Sequence, residues 1–162
     1  MTTIAQFKKY AKDNLTPFLE ENGFKLLSRY IYVKDGPEDI KFVISPSIHY
    51  GENLVIWVVC YTEEMDAGEP EAYRFPKGLP TMVGSELSPD RTISYGTSHL
   101  WKVGSEDASK EAIEEIILAL KKWAIPFFES VNTRQDLVDK VCRHHRADYQ
   151  EEIDAILAWR PT

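Results

Sequence analysis

"LVIWVVCYT", residues Leu54 to Thr62, is apolar whichever way it is turned. Successive side chains of a strand point to opposite faces. Leu54, Ile56, Val58 and Cys60 therefore share one face, and Val55, Trp57, Val59 and Tyr61 share the other. A strand with no polar face belongs inside a sheet, with both sides at least partly covered. The run is far shorter than the roughly 20 apolar residues that a membrane-spanning helix needs, so no membrane insertion is expected from it.

Upstream lie two β-rich runs, "KLLSRYIYVK" and "IKFVIS", separated by "DGPED". A Gly-Pro break between two such runs predicts a hairpin, and "PSIHYGEN" reads as the loop that leads into Leu54. Downstream, residues 63–91 hold Pro70, Pro76, Pro80 and Pro89 and form the least regular part of the chain. A loop that long inside one domain is functional, partly structured or mobile. Strands are expected within "TMVGSEL" and at "SHLWKV".

Helical periodicity occupies both ends. Ile4, Phe7, Ala11, Leu15, Phe18 and Leu19 recur at helical spacing, with Thr2 or Thr3 as cap and Gly23 as terminator. Pro17 predicts either a kink or a second short helix capped by Thr16. Ile113, Ile116, Ile117, Leu120 and Ala124 form a second stripe opened by Ser105, which "AIPFFES" breaks as a turn between helices. Asn132 or Thr133 then caps a last helical region carrying Leu137, Val138, Val141, Ile153, Ile156, Leu157 and Trp159. Central strands between terminal helices predict an α+β fold. The expectation is an antiparallel sheet of about four to six strands, with the N-terminal and C-terminal helices packed mainly on one face. One domain spans residues 1–162, with 143–162 as a C-terminal helical extension.

At 162 residues the chain is long enough to bury a core of its own. Two distant cysteines, Cys60 and Cys142, are no disulfide framework, and with a polar N-terminus they predict a cytoplasmic protein. The formal net charge of −7 opposes nucleic-acid binding, which needs cations to displace counterions from phosphate. It suits a basic or neutral protein partner better than DNA or RNA.

"VCRHHRADY", residues 141–149, tempts a metal reading through Cys142, His144, His145 and Asp148. On a helix Cys142 would share a face with His145, and His144 with Asp148, but no one face gathers three ligands and no second cluster exists. No metal and no cofactor is expected. Glu63, Glu64, Asp66, Glu69 and Glu71 read as a solvated acidic loop or a docking patch for a cationic surface. Ser85 lacks the second glycine of a nucleophile elbow, Cys60 reads as an inert core thiol, and no glycine-rich phosphate loop is present. The remaining candidate is a groove on the sheet face away from the helices, lined by Trp57, Tyr61, Glu63, His99 and Trp101.

The order of landmarks, "LTPFLEENGFK" before a tyrosine-rich strand, "HLWKV", then a helix closed by "AIPFFES" and "DL", resembles the uncharacterised bacterial domain-of-unknown-function family 4304. The resemblance covers most of the chain up to Leu137 and implies an α+β layout with no activity to transfer. An Asn-x-Gln pattern common in that family is replaced here by "VISPS". Three functions remain open: a non-enzymatic macromolecule-binding domain of accessory or immunity type, a small-molecule binder or enzyme using the groove, and a homodimer paired through the second sheet face.

Overall fold

The structure, a computed structural model, describes residues 3–28, 30–49, 52–90 and 99–162. Thr2, Arg29, Tyr50, Gly51 and residues 91 and 95–98, on which parts of the expectations fall, lie outside that set. The architecture is α+β. Among the described residues one antiparallel sheet runs β1 (Lys25–Ser28), β2 (Ile31–Asp35), β3 (Lys41–His49), β4 (Asn53–Tyr61), β5 (Gly84–Glu86), with β6 (Trp101–Lys102) also pairing β4.

β4 is the doubly apolar strand, flanked by β3 along its whole length and by β5 and β6 in two pieces on its other side. Residues directly opposite in antiparallel strands share a face. One face therefore collects Leu54, Ile56, Val58 and Cys60 with Ile44, Phe42, Tyr32 and Trp101, all buried. The opposite face collects Val55, Trp57, Val59 and Tyr61 with Val43. There Trp57 is half-buried and the others are buried.

Helices meet the first face. Phe128 stacks on Phe42 with centroids 4.8 Å apart, the Tyr32 hydroxyl lies 2.7 Å from Thr16 Oγ1, and the Trp101 indole donates to Glu115 at 3.0 Å. The participating elements are α2 (Thr16–Glu21), α3 (Glu106–Ala119) and α4 (Ile125–Glu129), preceded by α1 (Thr3–Tyr10). On the second face the ring of Phe75, from the irregular segment after β4, stacks on Tyr61 at 4.5 Å.

Neither Pro17 nor Pro126 interrupts its helix. Each follows a single π-helical turn, Ala11–Leu15 and Leu120–Ala124, in which Thr16 N–H bonds Ala11 O and Ile125 N–H bonds Leu120 O. The wider turn makes room for a ring that would otherwise crowd the carbonyl four residues back. The expected Thr16 cap is thus absent, and its hydroxyl serves Tyr32 instead. "AIPFFES" likewise continues the helix rather than turning it, and the break falls at 130–132. Gly23, at φ +89°, ends α2, and Ser105 caps α3 through Ala108 N–H at 3.1 Å.

Two further expectations need correction. "KLLSRYIYVK" is two strands, β1 and β2, paired with each other, and Tyr30 between them takes φ +64°. "PSIH" belongs to β3 rather than to a loop. Proline is tolerated there because β2 pairs no further than Ile44, so among the described residues Pro46 has no neighbour strand on that side to which an N–H would be owed. Gly84 pairs with Val59 at φ +119°, and any Cβ there would collide with the carbonyl oxygen of Val58.

Candidate functional site

Beyond Tyr61 the chain leaves the sheet through a 3₁₀ turn, Glu63–Asp66, and a second, Glu71–Tyr73, before returning as β5. This strap is not simply solvated. Asp66 is 4% exposed, and its Oδ2 accepts both the Tyr61 hydroxyl at 2.8 Å and the Phe75 N–H at 2.7 Å. Burial, and next the hydrogen bond to Asp66, push the Tyr61 phenol far above its ordinary range. Glu64, two residues earlier, points the other way and pairs with Arg134 at 2.8 Å. The acidic run thus divides into two anchored carboxylates, Glu64 and Asp66, and the exposed Glu63, Glu69 and Glu71.

Arg134 opens α5 (Arg134–Asp139), capped by Thr133 in a reciprocal box with Asp136. It is 5% exposed. Its backbone N–H donates to Glu38 Oε1 at 2.8 Å, Nε to Glu38 O at 2.9 Å, and Nη1 to Glu64 Oε1 and to Ile156 O. Its guanidinium carbon stands 4.9 Å from the ring centroid of Trp159, whose indole donates to Asp39 at 3.1 Å. One side chain therefore ties the β2–β3 turn, the start of the strap and α6 (Gln150–Leu157) together. Glu38 and Asp39, both bonded into this knot, sit in the left-handed region at φ +54° and +58°. Non-glycine residues persist there when surrounding bonds over-determine them.

Two clefts flank the strap. The larger, about 640 Å³, is bounded by Asp39, Lys41, Tyr61, Glu63, Arg134 and Trp159. The smaller, about 390 Å³, lies between the strap and the start of α6, with Asp66, Glu69, Tyr73, Tyr149 and Glu152 around it. Tyr61 separates them: its residue lines the first, while its hydroxyl holds the carboxylate of the second.

The five groove residues do not converge. Tyr61 and Glu63 share the larger cleft. Trp57 is on the same sheet face, opposite Ser45 and Glu86, but lies outside that cleft. Trp101 is on the other face, paired with Leu54, because β6 meets β4 in that register. It is 2% exposed, and the His99 ring packs edge-on against it at 4.5 Å. The register thus divides between two faces the residues that the sequence pattern places on one.

The Cys142–Asp148 stretch is not an α-helix. It forms two 3₁₀ turns, Arg143–His145 and Ala147–Tyr149, after an extended Cys142. His145 Nδ1 lies 3.6 Å from Asp148 Oδ2. Among the described residues no group of three or more His, Cys, Asp or Glu side chains gathers closely enough to hold a metal ion. Cys60 is fully buried and its thiol is pushed up by desolvation. Ser85 is buried in β5, its hydroxyl donating to Glu86 O at 3.3 Å. Among the described residues, no base is hydrogen-bonded to either. No described helix is long and apolar enough to cross a membrane.

Sequence reasoning missed Arg134 and Asp66. Arg134 carried one available signal, its place just after a Thr133 cap. Asp66 carried none, being one acid among several. No protein-family model, curated protein or solved structure matches the chain.

Proposed function

We propose that the chain is a cytoplasmic, non-enzymatic binding domain of accessory or immunity type, whose acidic side receives a basic protein. One observation supports this above the others. The acidic strap and the acidic first turn of α6, with Glu151 and Glu152, are far apart in sequence but share the smaller cleft through Asp66, Glu69 and Glu152. Concentrated negative charge speeds encounter with a cationic surface and repels phosphate backbones. The resemblance to family 4304 fits this reading and adds no chemistry to it.

The test is cross-linked affinity capture from the source organism. A stoichiometric partner of high isoelectric point, released as salt screens the contact, is the supporting result. Recovery of the chain alone, or a partner held equally at high salt, counts against it. Light scattering of the purified chain separates a second copy from a foreign partner.

The size of the cleft beside Trp159 favours a second reading, a small-molecule binder, since ligand pockets span about 300–1,000 Å³. Thermal-shift screening against metabolites distinguishes the two, because a ligand bound to the native state alone raises its melting temperature.

A further inference from the structure

Asp66 is a buried carboxylate with no cation of its own among the described residues. Oδ2 is engaged by two neutral donors, the Tyr61 O–H and the Phe75 N–H. No described Lys, Arg or His forms an ion pair with Asp66, and Oδ1 takes no hydrogen bond from a described residue. Among the described residues, the side-chain oxygens that are both unpaired and sealed from solvent are Thr62 Oγ1 and Glu64 Oε2. Asp66 Oδ1 is not among them, and the residue lines the smaller cleft. A charge desolvated this deeply is stabilised by a partner of opposite sign.

The cleft specifies that partner's chemistry. Glu69 and Glu152 add negative charge around it. Tyr73 and Tyr149 present rings of the kind that attract organic cations, and Met65 supplies a polarisable wall. Among the described residues the acids do not gather closely enough to chelate a metal, and about 390 Å³ is the room of a side chain rather than of a bare ion. A guanidinium fork binds best across both oxygens of one carboxylate, but both lone pairs of Oδ2 are taken. An ammonium needs only Oδ1, as a compact charge with three rotatable donors. We propose that this cleft receives the ε-ammonium of a lysine on the basic protein partner, an assignment that rests on the acidic-side reading above.

The test is an amide-resolved NMR titration of the ¹⁵N-labelled full chain with capped Gly-Lys-Gly at low salt. Shifts concentrated at 65–69, 73, 82 and 149–152 are expected. The same peptide carrying Nε-acetyl-lysine, and a Glu69→Gln/Glu152→Gln variant with an unchanged melting temperature, should each weaken binding by about tenfold or more. Capped Gly-Arg-Gly should bind more weakly than the lysine peptide. Shifts elsewhere, or an equal response to acetyl-lysine or arginine, would overturn the assignment. A blank titration beside a captured basic partner sinks the cleft alone, whereas failed capture beside an intact lysine response sinks the wider reading.

Discussion

Glu64 and Asp66 stand two residues apart in one 3₁₀ turn, and the protein treats them oppositely. Glu64 faces a guanidinium that the chain itself supplies, bonded to three acceptors and stacked on an indole. Asp66 faces two neutral donors and a cleft. The first charge closes a structure; the second leaves one side of a structure open. Burial alone does not distinguish a structural ion from a recognition group, and the identity of the neighbours does.

The sharpest way to break this contrast is to remove the cation. Arg134→Ala strands Glu64 and frees the left-handed turn at Glu38 and Asp39, so a loss of about 3–5 kcal/mol is expected in urea unfolding. Arg134→Lys should recover little of it, since an ammonium cannot reproduce the planar fork. A loss within about 0.5 kcal/mol would show that the knot is decoration.

Asp66 comes next. Asp66→Ala leaves the Tyr61 hydroxyl and the Phe75 N–H without an acceptor, for a loss of about 2–3 kcal/mol. Asp66→Asn keeps an oxygen for both donors, and its loss should stay under about 1 kcal/mol. Equal losses in the two variants would mean that the charge itself is balanced inside the protein, contrary to the contrast drawn here.

The third effect is one of pH. The Tyr61 and Tyr32 phenols are both raised, chiefly by burial. A group whose folded pKa lies above its unfolded value contributes stability that is fully present below the unfolded pKa, about 10 for tyrosine, and lost as pH rises through the folded one. Ultraviolet titration should show these two phenolates appearing together with unfolding, above the ordinary tyrosine range. In Tyr61→Phe one late phenolate should vanish.

The smallest effect is a near-absence. Glu63→Gln and Glu71→Gln alter exposed carboxylates with no anchoring bond, and each should change stability by less than about 0.5 kcal/mol. A larger change in either would erase the division of the acidic run.

What could be read in advance followed from local chemistry. The two apolar faces of Leu54–Tyr61 announced an interior strand, and Ser105, Thr133 and Gly23 announced helix ends, because each of those signals acts within a few residues. What depends on distant partners could not be read. Pro46 looks like a loop residue until β2 is known to stop short of it. Tyr30 gives no sign of a turn, since few side chains of its size accept positive φ. Trp101 joined the wrong group because its face depends on a register that no spacing encodes. Asp66 gained its meaning from Phe75 and from α6, neither of which is its neighbour in sequence.

The two π turns carry a consequence for anyone who edits this chain. Each holds one residue more than the α turn it replaces, so it works as a phase shifter of about 100° for the helix that follows. Deleting Lys12, an exposed residue with no evident duty, would swing Leu15 and Leu19 away from the interior while restoring the crowding at Pro17. Surplus residue and proline form a matched set, and an alignment gap placed within 11–15 or 120–124 without a change at Pro17 or Pro126 describes a chain that cannot close the same core.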